Sequence, residues 1–434
     1  MIEHEAVTPT PLWRNTSFKI LWGGQFAAQL GPGVGAVLYP IVLMDEGASP
    51  ALIGTLTFGL GVAAIAARLP GGALADRFDR RGVMLVAQGT RALGMGLLCF
   101  GLFTGTSWLL WLVMCVALVD VLGNEAYRFA ERAALRHIVH PSQLSQAVGQ
   151  HEARNQIISM IGPVVGGWLM LLSRALPIGV VALGQAGAAL GLVFVKERLQ
   201  NERETAPPRG GPRPRGWTEA FSWIRANPAV RVLLIGCVPP NLVISGVMLT
   251  IVMAGNEAGV GTGQIGTVFG VAAMGGIAGA LCASTLLRRF SPRAILLAVL
   301  WLLPVMVLAT GSLIDHWTVL FPLAMAVAMA PLLSIILATY QLLTTPDRLQ
   351  ARVASTCTFI TGIAAPLGPL IAGFGLQYSG TMPLFFGFAM LMLGVALLIT
   401  LLPSTRRLSS LPRAAVAPTG EPPQQTPPSA KDVP

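Results

Sequence analysis

Twelve apolar stretches follow one another along the chain, each about as long as a membrane-spanning helix and separated from the next by a polar segment. An α-helix needs about 20 predominantly apolar residues to cross the hydrocarbon core of a bilayer. The pattern therefore predicts twelve transmembrane helices, several of them kinked by an internal proline. The predicted spans are 18–43, 51–73, 83–104, 108–130, 149–172, 176–195, 230–254, 263–287, 294–312, 317–343, 352–378 and 382–402.

Composition supports a polytopic membrane protein and excludes a soluble one. The chain is 53% hydrophobic and 11% charged, with a mean hydropathy of +0.67, whereas soluble domains carry about 25% charged residues. The five cysteines lie inside apolar segments and form no CxxC pair, which excludes a disulfide framework and a zinc site. The sequence contains no phosphate-binding Gly-Lys loop and no nucleophile elbow. We therefore expect neither an enzyme nor an ATP-driven pump, and no cofactor or metal.

Basic residues concentrate in alternate loops. If the N-terminus is cytoplasmic, the inner segments hold nearly all of the loop arginines and lysines, whereas the outer loops hold Arg174 alone and acidic residues such as Asp45 and Asp315. This is the positive-inside distribution, so we predict cytoplasmic termini in a multi-pass protein of the cell membrane. The same distribution explains the net charge of +10 without a nucleic-acid partner.

A Pro-, Arg- and Gly-rich segment divides the chain into two sets of six helices that also resemble each other. GPVVGG at 162–167 matches GPLIAG at 368–373, an offset of 206 residues. Duplicated sets around a central cavity are typical of secondary transporters, so we predict an all-α membrane protein of two six-helix bundles. The predicted domains are a first bundle (1–195), a cytoplasmic linker (196–216), a second bundle (217–402) and a disordered cytoplasmic tail (403–434).

The loop between the second and third predicted helices reads GALADRFDRRG at 72–82. It resembles the signature loop of the major facilitator superfamily, G-x-L-A-D-R-x-G-R-R, and departs from it at Asp79, where the family has glycine. The resemblance implies the major facilitator fold and a conformational latch at the cytoplasmic side. The alternative is ordinary positive-inside charge, which explains the arginines but not the spacing. The predicted latch residues are Gly72, Asp76, Arg77, Arg80 and Arg81.

The fifth predicted helix contains Gly162, Pro163, Gly166 and Gly167. This pattern resembles the antiporter signature of the superfamily, G-P-x-x-G-G, which marks drug and metabolite exporters. Small residues also allow ordinary close packing of helices, which is the alternative. The segments at 12–30 and 133–156 are similar to the exporter branch that includes bacterial siderophore and macrolide effluxers. The resemblance implies export of a small organic compound.

Ionisable residues inside the membrane are expensive and therefore mark candidate functional sites. Asp120 lies near the middle of the fourth predicted helix and is the first candidate for proton coupling, with Glu125 as the second. Asp120 has a structural alternative as the partner of Arg91, and Glu125 has one in the latch with Arg80 or Arg81. For Glu131 we also expect a place in the latch. We expect Glu152 and Arg154 at the surface and His137, His140 and His151 in a solvated loop.

In the superfamily, helices 1, 4, 7 and 10 normally line the central cavity, so their polar residues are the candidates for solute binding. Hydrogen bonds between helices are the alternative role for isolated amides in membrane helices. A cavity with scattered amides and little charge suits an amphipathic organic solute. The candidates are Gln25, Gln29, Asn124, Asn241, Ser245, Tyr340 and Gln341.

Together these features predict a secondary active transporter that exports an amphipathic compound, such as a drug, siderophore or secondary metabolite, in exchange for protons by alternating access. Its partners are the lipid bilayer, the solute and protons, and we expect a monomer. Two alternatives stay open. One is an uncoupled facilitator or importer of the same fold, and the other is a membrane sensor or scaffold that does not transport.

Overall fold

A computed structural model describes residues 14, 16–105, 108–195, 199, 215–314 and 316–410 of the chain. The side chains of 69–77 and of a few single positions are not among the described ones. The predicted latch residues Gly72, Asp76 and Arg77 therefore contribute only their backbone to the description. Asp315, the side chain of Glu152, most of the predicted linker and the chain beyond 410 lie outside the described residues.

The described residues are almost entirely helical. Fifteen α-helices occur among them: α1 (Thr16–Ala28), α2 (Leu30–Asp45), α3 (Pro50–Arg77), α4 (Arg80–Thr104), α5 (Leu109–Ile138), α6 (Leu144–Leu172), α7 (Leu176–Val193), α8 (Arg215–Ala226), α9 (Pro228–Glu257), α10 (Thr262–Arg289), α11 (Pro292–Ser312), α12 (Leu320–Thr344), α13 (Gln350–Ile363), α14 (Leu367–Tyr378) and α15 (Thr381–Leu401). Short 3-10 helices occur at Pro141–Gln143, Trp317–Val319, Asp347–Leu349 and Pro403–Ser410.

These helices form twelve candidate membrane spans, which confirms the number predicted from the sequence. The first span consists of α1 and α2 together, and the eleventh consists of α13 and α14 together. The largest differences from the predicted bounds are at α5 and α6, which extend beyond their apolar stretches at one end. Helix α8 is too short to cross a bilayer. It packs against α9 and α13.

The two interrupted spans break beside prolines, which have no N–H group to donate to the preceding turn. In the first span the interruption is at Gln29, and Pro32 leaves the carbonyl of Ala28 without its helical donor. In the eleventh span the interruption lies between Ile363 and Leu367, where Pro366 starts the next helix. Each break divides a membrane span into two helical segments.

The spans fall into a first set (α1–α7) and a second set (α9–α15). Because the described spans number twelve, the start of the first span and the end of the last one lie at the same end of the bundle. We call this the termini end and the opposite one the far end. The two sets pack together through α6 against α10 and α3 against α14. At the far end, hydrogen bonds join the sets: Ala51 N donates to Gln377 Oε1 at 3.1 Å, and Thr262 Oγ1 donates to the carbonyl of Gly167 at 3.0 Å. The far end is therefore closed.

Glycines allow the close approach of helices at equivalent points in the two sets. A Cβ at Gly162 would lie 2.9 Å from Gly33 Cα on α2, and a Cβ at Gly368 would meet the backbone of α9 at Leu242 and Gly246. Five residues later, Gly167 crosses Gly266 of α10, and Gly373 crosses Gly54 of α3. The repeated sequences thus make equivalent contacts, first within their own set and then with the other.

Candidate functional site

A cavity of about 530 Å³ lies between the two sets. Its wall comes from α2, α3 and α5 of the first set and from α9, α10 and α14 of the second set. The described wall contains no residue of the tenth span, α12. The second, eighth and eleventh spans (α3, α10 and α14) line the cavity instead of α12, because these helices cross closely at glycines near the far end. The lining residues are Pro32, Gly35, Ala36, Tyr39, Pro40, Thr57, Leu60, Ala64, Asp120, Val121, Asn124, Glu125, Ser245, Met248, Leu249, Phe269 and Pro369.

The two sides of this cavity differ in chemistry. The first set contributes both carboxylates of the wall, Asp120 and Glu125, and an amide, Asn124. The second set contributes apolar residues with one hydroxyl, that of Ser245. The charged and amide groups of the cavity wall therefore all lie on the side of the first set, opposite apolar residues of the second set.

Asp120 is held in a buried ion pair with Arg91 of α4. Arg91 Nε donates to Asp120 Oδ1 at 2.8 Å, and both side chains are almost fully buried. Gln185 Nε2 of α7 donates to the same oxygen at 3.1 Å, and Arg91 Nη1 donates to Gln88 Oε1 at 3.0 Å. This is the pairing that the sequence left open as the structural role of Asp120. Both bonds converge on Oδ1, so Oδ2 has no partner among the described residues, and Asp120 lines the cavity.

Glu125 lies on the same wall and is paired across to α3. Its two carboxylate oxygens accept from Arg68 Nε and Nη2, each at 3.3 Å, and Oε1 also lies 3.4 Å from Arg128 Nη1. The expected partners Arg80 and Arg81 are not the ones found. A bidentate arginine pair is both strong and directional. Arg68 is half-exposed and pairs with a carboxylate that lines the cavity.

One turn from Asp120, the Oδ1 atom of Asn124 is buried and has no hydrogen-bond partner among the described residues. A buried acceptor without a partner is costly, and such groups in native structures call for an explanation. Because Asn124 lines the cavity, a donor on a bound solute would satisfy it.

A second buried charge cluster lies nearer the termini end, and it corrects two expectations. Arg154 and His151, which we expected at the surface and in a solvated loop, are 1% and 4% exposed. Arg154 Nη2 donates to Glu131 Oε1 at 3.2 Å, while Nη1 donates to the carbonyls of Leu21 and Trp22 at 3.3 and 3.2 Å. The cluster therefore ties α5 and α6 to the start of the first span. Both residues lie near the start of the predicted span 149–172, where the apolar pattern does not reveal that packing buries them.

The two arginines of the predicted latch whose side chains are described bond to backbone carbonyls of α5, of the end of α7 and of residue 199. Arg80 Nη1 donates to the carbonyls of Ala133 and Leu199 at 3.4 and 3.1 Å, and Arg81 Nη2 donates to the carbonyl of Val193 at 2.6 Å. Arginine is favourable at helix C-termini, where carbonyls lack donors. Asp79 caps α4 by accepting from Gly82 N at 2.8 Å, so aspartate provides an N-cap where the family pattern has glycine.

Of the seven predicted cavity residues, the structure places Asn124 and Ser245 on the cavity wall. Gln25 is buried in α1 and accepts a hydrogen bond from Gln29 at 3.4 Å. Tyr340 and Gln341 lie on α12, away from this wall. Their part in solute binding stays a prediction.

Asn241 and Ser245 of α9 both support the break in the eleventh span. Asn241 Nδ2 donates to the carbonyl of Thr361 at 3.2 Å, which is free because Ala365 N bonds to Gly362 instead. Ser245 Oγ donates to the carbonyl of Ala365 at 2.5 Å, the acceptor that Pro369 cannot serve. These are the interhelical hydrogen bonds that the sequence left open as the alternative role.

Several residues of the site are not polar residues of the helices expected to line the cavity, so the sequence did not predict them. Tyr39 and Phe269 supply large parts of the cavity wall, and no sequence signal separates them from other lipid-facing or core aromatics. Gln185 had a usable signal, since it is the only amide in the otherwise apolar helix Leu176–Val193. Gln88 also had a signal, since it precedes Arg91 by three residues and such residues are neighbours on a helix surface.

Comparison with known proteins gives the family. The model of the Major Facilitator Superfamily matches residues 21–355. Lysophospholipid transporters LplT of Yersinia pestis and Yersinia pseudotuberculosis are 35% identical over 152 residues. That match covers 35% of this chain and 34% of theirs, so the chain spans about a third of the length of these curated relatives.

Solved structures show the same fold at low sequence identity. The nucleoside transporter NupG is 15% identical, with a TM-score of 0.63 over 89% of this chain and 98% of its own. A bacterial homologue of the human lysosomal transporter Spinster, in an inward-facing and occupied conformation, is 14% identical, with a TM-score of 0.65 over 92% of this chain and 98% of its own. At these identities the likeness concerns the fold alone.

Proposed function

The chain belongs to the Major Facilitator Superfamily, and we propose that this transporter exports an amphipathic organic compound from the cell in exchange for protons. It is a multi-pass protein of the cell membrane, and its family consists of transporters rather than enzymes. The proposal concerns the kind of solute, the direction of transport and the coupling ion. The cavity with one charged wall and one apolar wall is the observation that carries it.

The two walls favour a solute with a polar end and an apolar body. The polar end lies against Asn124, Glu125 and Arg68, which offer an amide, a carboxylate and a guanidinium group. The apolar body lies against Met248, Leu249 and Phe269, and its burial favours binding by about 25 cal/mol per Å². A zwitterionic amphiphile fits this arrangement better than a sugar. The match to lysophospholipid transporters agrees with this class of solute.

Asp120 is the proposed proton carrier. Its Oδ1 is committed to Arg91 and Gln185, whereas Oδ2 is available on the cavity side for a proton. Protonation removes the negative charge that balances Arg91, and an unbalanced buried cation is strongly unfavourable. The pair then rearranges, and with it the contacts among α4, α5 and α7. A proton thus favours a different arrangement of the cavity wall, which is the requirement for coupling.

The positive-inside distribution and the closed far end support the proposed direction. With cytoplasmic termini, the far end faces outside, and the described state is closed to the exterior. A solute for export loads from the cytoplasm in this state. Proton entry from outside then requires the far end to open at the glycine crossings.

Transport of hexadecylphosphocholine into proteoliposomes under an imposed pH gradient tests the proposal. We expect gradient-driven transport by the wild type and its loss in Asp120→Asn, while gradient-independent exchange continues. Because Asp120→Asn leaves Arg91 unpaired and risks misfolding, the neutral double variant Arg91→Gln/Asp120→Asn accompanies it. If either variant retains gradient-driven transport, Asp120 has a structural role alone. If the wild type transports with no response to the gradient, the protein is an uncoupled facilitator.

A further inference from the structure

An apolar groove of about 460 Å³ lies on the first set between α3 and α5, with α2 at its base. Its wall includes Trp111, Met114, Cys115 and Leu118 of α5, of which Trp111 and Leu118 are 64% and 42% exposed. These exposed side chains belong to a membrane-spanning helix, so the groove opens toward the acyl chains of the bilayer. It lies in the part of the bundle nearer the far end, since α5 starts there at Leu109.

The groove shares part of its wall with the central cavity. Tyr39, Pro40, Thr57 and Leu60 line both spaces, so a single layer of side chains separates them. Tyr39 is the largest of the four. Its ring lies over Gly35, where a Cβ would be 2.6 Å from it, and its hydroxyl points toward Met95 Sδ at 4.0 Å. Gly35 therefore lets the ring lie flat along α2 at the partition.

A second groove of the same volume provides an internal comparison. It lies on the second set between α10, α11 and α12, is equally apolar, and includes Cys282 and Met325. None of its described lining residues belongs to the central cavity. A shallow apolar groove on a membrane protein accommodates bulk lipid in any case. Continuity with a charged cavity is what distinguishes the groove on the first set.

We propose that the groove between α3 and α5 binds the hydrocarbon chain of a single-chain amphiphile whose polar end lies in the central cavity. This rests on the proposed function and adds where the chain goes. Glu125 and Cys115 are ten residues apart on α5, which is about 15 Å along a helix. A chain of 16 carbons spans that distance from the charged wall to the groove, whereas a chain of 8 carbons does not. Transport is then selective for chain length.

Photolabelling tests occupancy of the groove without requiring transport. The probe is a 16-carbon phosphocholine with a diazirine at the chain end, applied to the full-length protein in phosphatidylcholine vesicles, with adducts mapped by mass spectrometry. We expect adducts at Trp111, Met114 and Cys115 that excess hexadecylphosphocholine removes and octylphosphocholine does not. Equal labelling of both grooves that neither competitor removes would mean bulk lipid only and would overturn the proposal.

Gly59 and Gly96 provide a matched pair of variants. Both are exposed helical glycines with nothing within 4 Å of a Cβ, so a side chain can start from either backbone position without meeting a neighbour. Gly59 lines the groove, whereas Gly96 on α4 lies away from it. We expect Gly59→Phe to reduce competable labelling and transport of the 16-carbon probe about tenfold. Transport of octylphosphocholine stays unchanged in Gly59→Phe, and Gly96→Phe resembles the wild type with both probes.

The outcomes separate this inference from the function on which it rests. Competable labelling without any transport in the wild type supports the groove and contradicts the proposed transport. Transport of both chain lengths that Gly59→Phe leaves unchanged supports the transport and contradicts the groove.

Discussion

The first and second sets share a scaffold but not a chemistry. Both use a Gly-Pro motif to pack one helix against its own set and then against the other, at Gly162 and Gly167 in the first and at Gly368 and Gly373 in the second. Three groups of buried charges lie inside the first set, around Asp120, Glu125 and Glu131. In the second set, every charged residue that the structure describes between 228 and 401 lies near a helix end.

This difference suggests a division of labour after duplication. Buried ion pairs contribute little net stability compared with apolar packing of similar volume, so the second set shows that the scaffold folds without them. We propose that the buried charges of the first set serve proton and solute chemistry, and that the second set supplies the apolar wall of the cavity.

Loss of Arg154 has the largest expected effect. Arg154→Gln leaves Glu131 buried without its ion pair and removes the bonds to the carbonyls of Leu21 and Trp22. Breaking one partner of a buried pair costs about 3–5 kcal/mol. We expect the free energy of unfolding to fall by that amount, seen as early loss of the monodisperse peak after heating in detergent.

The matched control is an exposed pair between α8 and α13 of the second set. Arg352 Nη1 lies 3.3 Å from Glu219 Oε2 with both side chains more than half exposed, so Arg352→Gln costs at most about 1 kcal/mol. The neutral double variant Glu131→Gln/Arg154→Gln regains much of the lost stability, because no unpaired charge remains. A double variant no more stable than Arg154→Gln would show that shape, rather than charge, holds α5 and α6 to α1.

Substitutions at the glycine crossings have the second-largest expected effect, and we expect the two sets to behave alike. A Cβ at Gly167 would lie 2.9 Å from Gly266 Cα, and one at Gly373 would lie 2.8 Å from Gly54 Cα. Because backbone cannot yield as a flexible side chain does, each alanine disfavours the closed far end by about 1–3 kcal/mol. Spin labels at Glu46→Cys and Ala258→Cys, in a background without Cys115 and Cys282, report the separation of the far ends.

We expect Gly167→Ala and Gly373→Ala to lengthen that distance to a similar extent. Gly179→Ala on α7 is the control, since nothing lies within 4 Å of its Cβ. An effect of one crossing without the other would mean that the scaffold is not functionally symmetric, and the comparison of the sets would need revision.

The sequence predicts the scaffold well and the site in part, for different physical reasons. The number of spans follows from the lengths of the apolar stretches, because a chain crosses lipid only as a helix or as part of a closed barrel. The structure confirms all twelve spans. The pair of Asp120 with Arg91 was foreseeable, since a deep cation needs a counter-charge. The cluster of Glu131 with Arg154 was not, because polar residues near a helix end look like surface until packing buries them. Tyr39 and Phe269 look like any other aromatic of an apolar helix until the crossing of α3 and α14 shapes the cavity.

The smallest expected effect separates two asparagines that the sequence treats alike. Asn241 bonds to the carbonyls of Cys237 and Thr361, whereas Asn124 Oδ1 has no partner among the described residues and lies on the cavity wall. Asn241→Leu should cost about 1 kcal/mol of stability, the net value of a hydrogen bond, and leave the KM for hexadecylphosphocholine unchanged. Asn124→Leu should keep its stability, since no bond within the protein is lost, and raise that KM several-fold. The reverse outcome, a raised KM for Asn241→Leu and an unchanged KM for Asn124→Leu, would mean that the polar end of the solute lies against the second set.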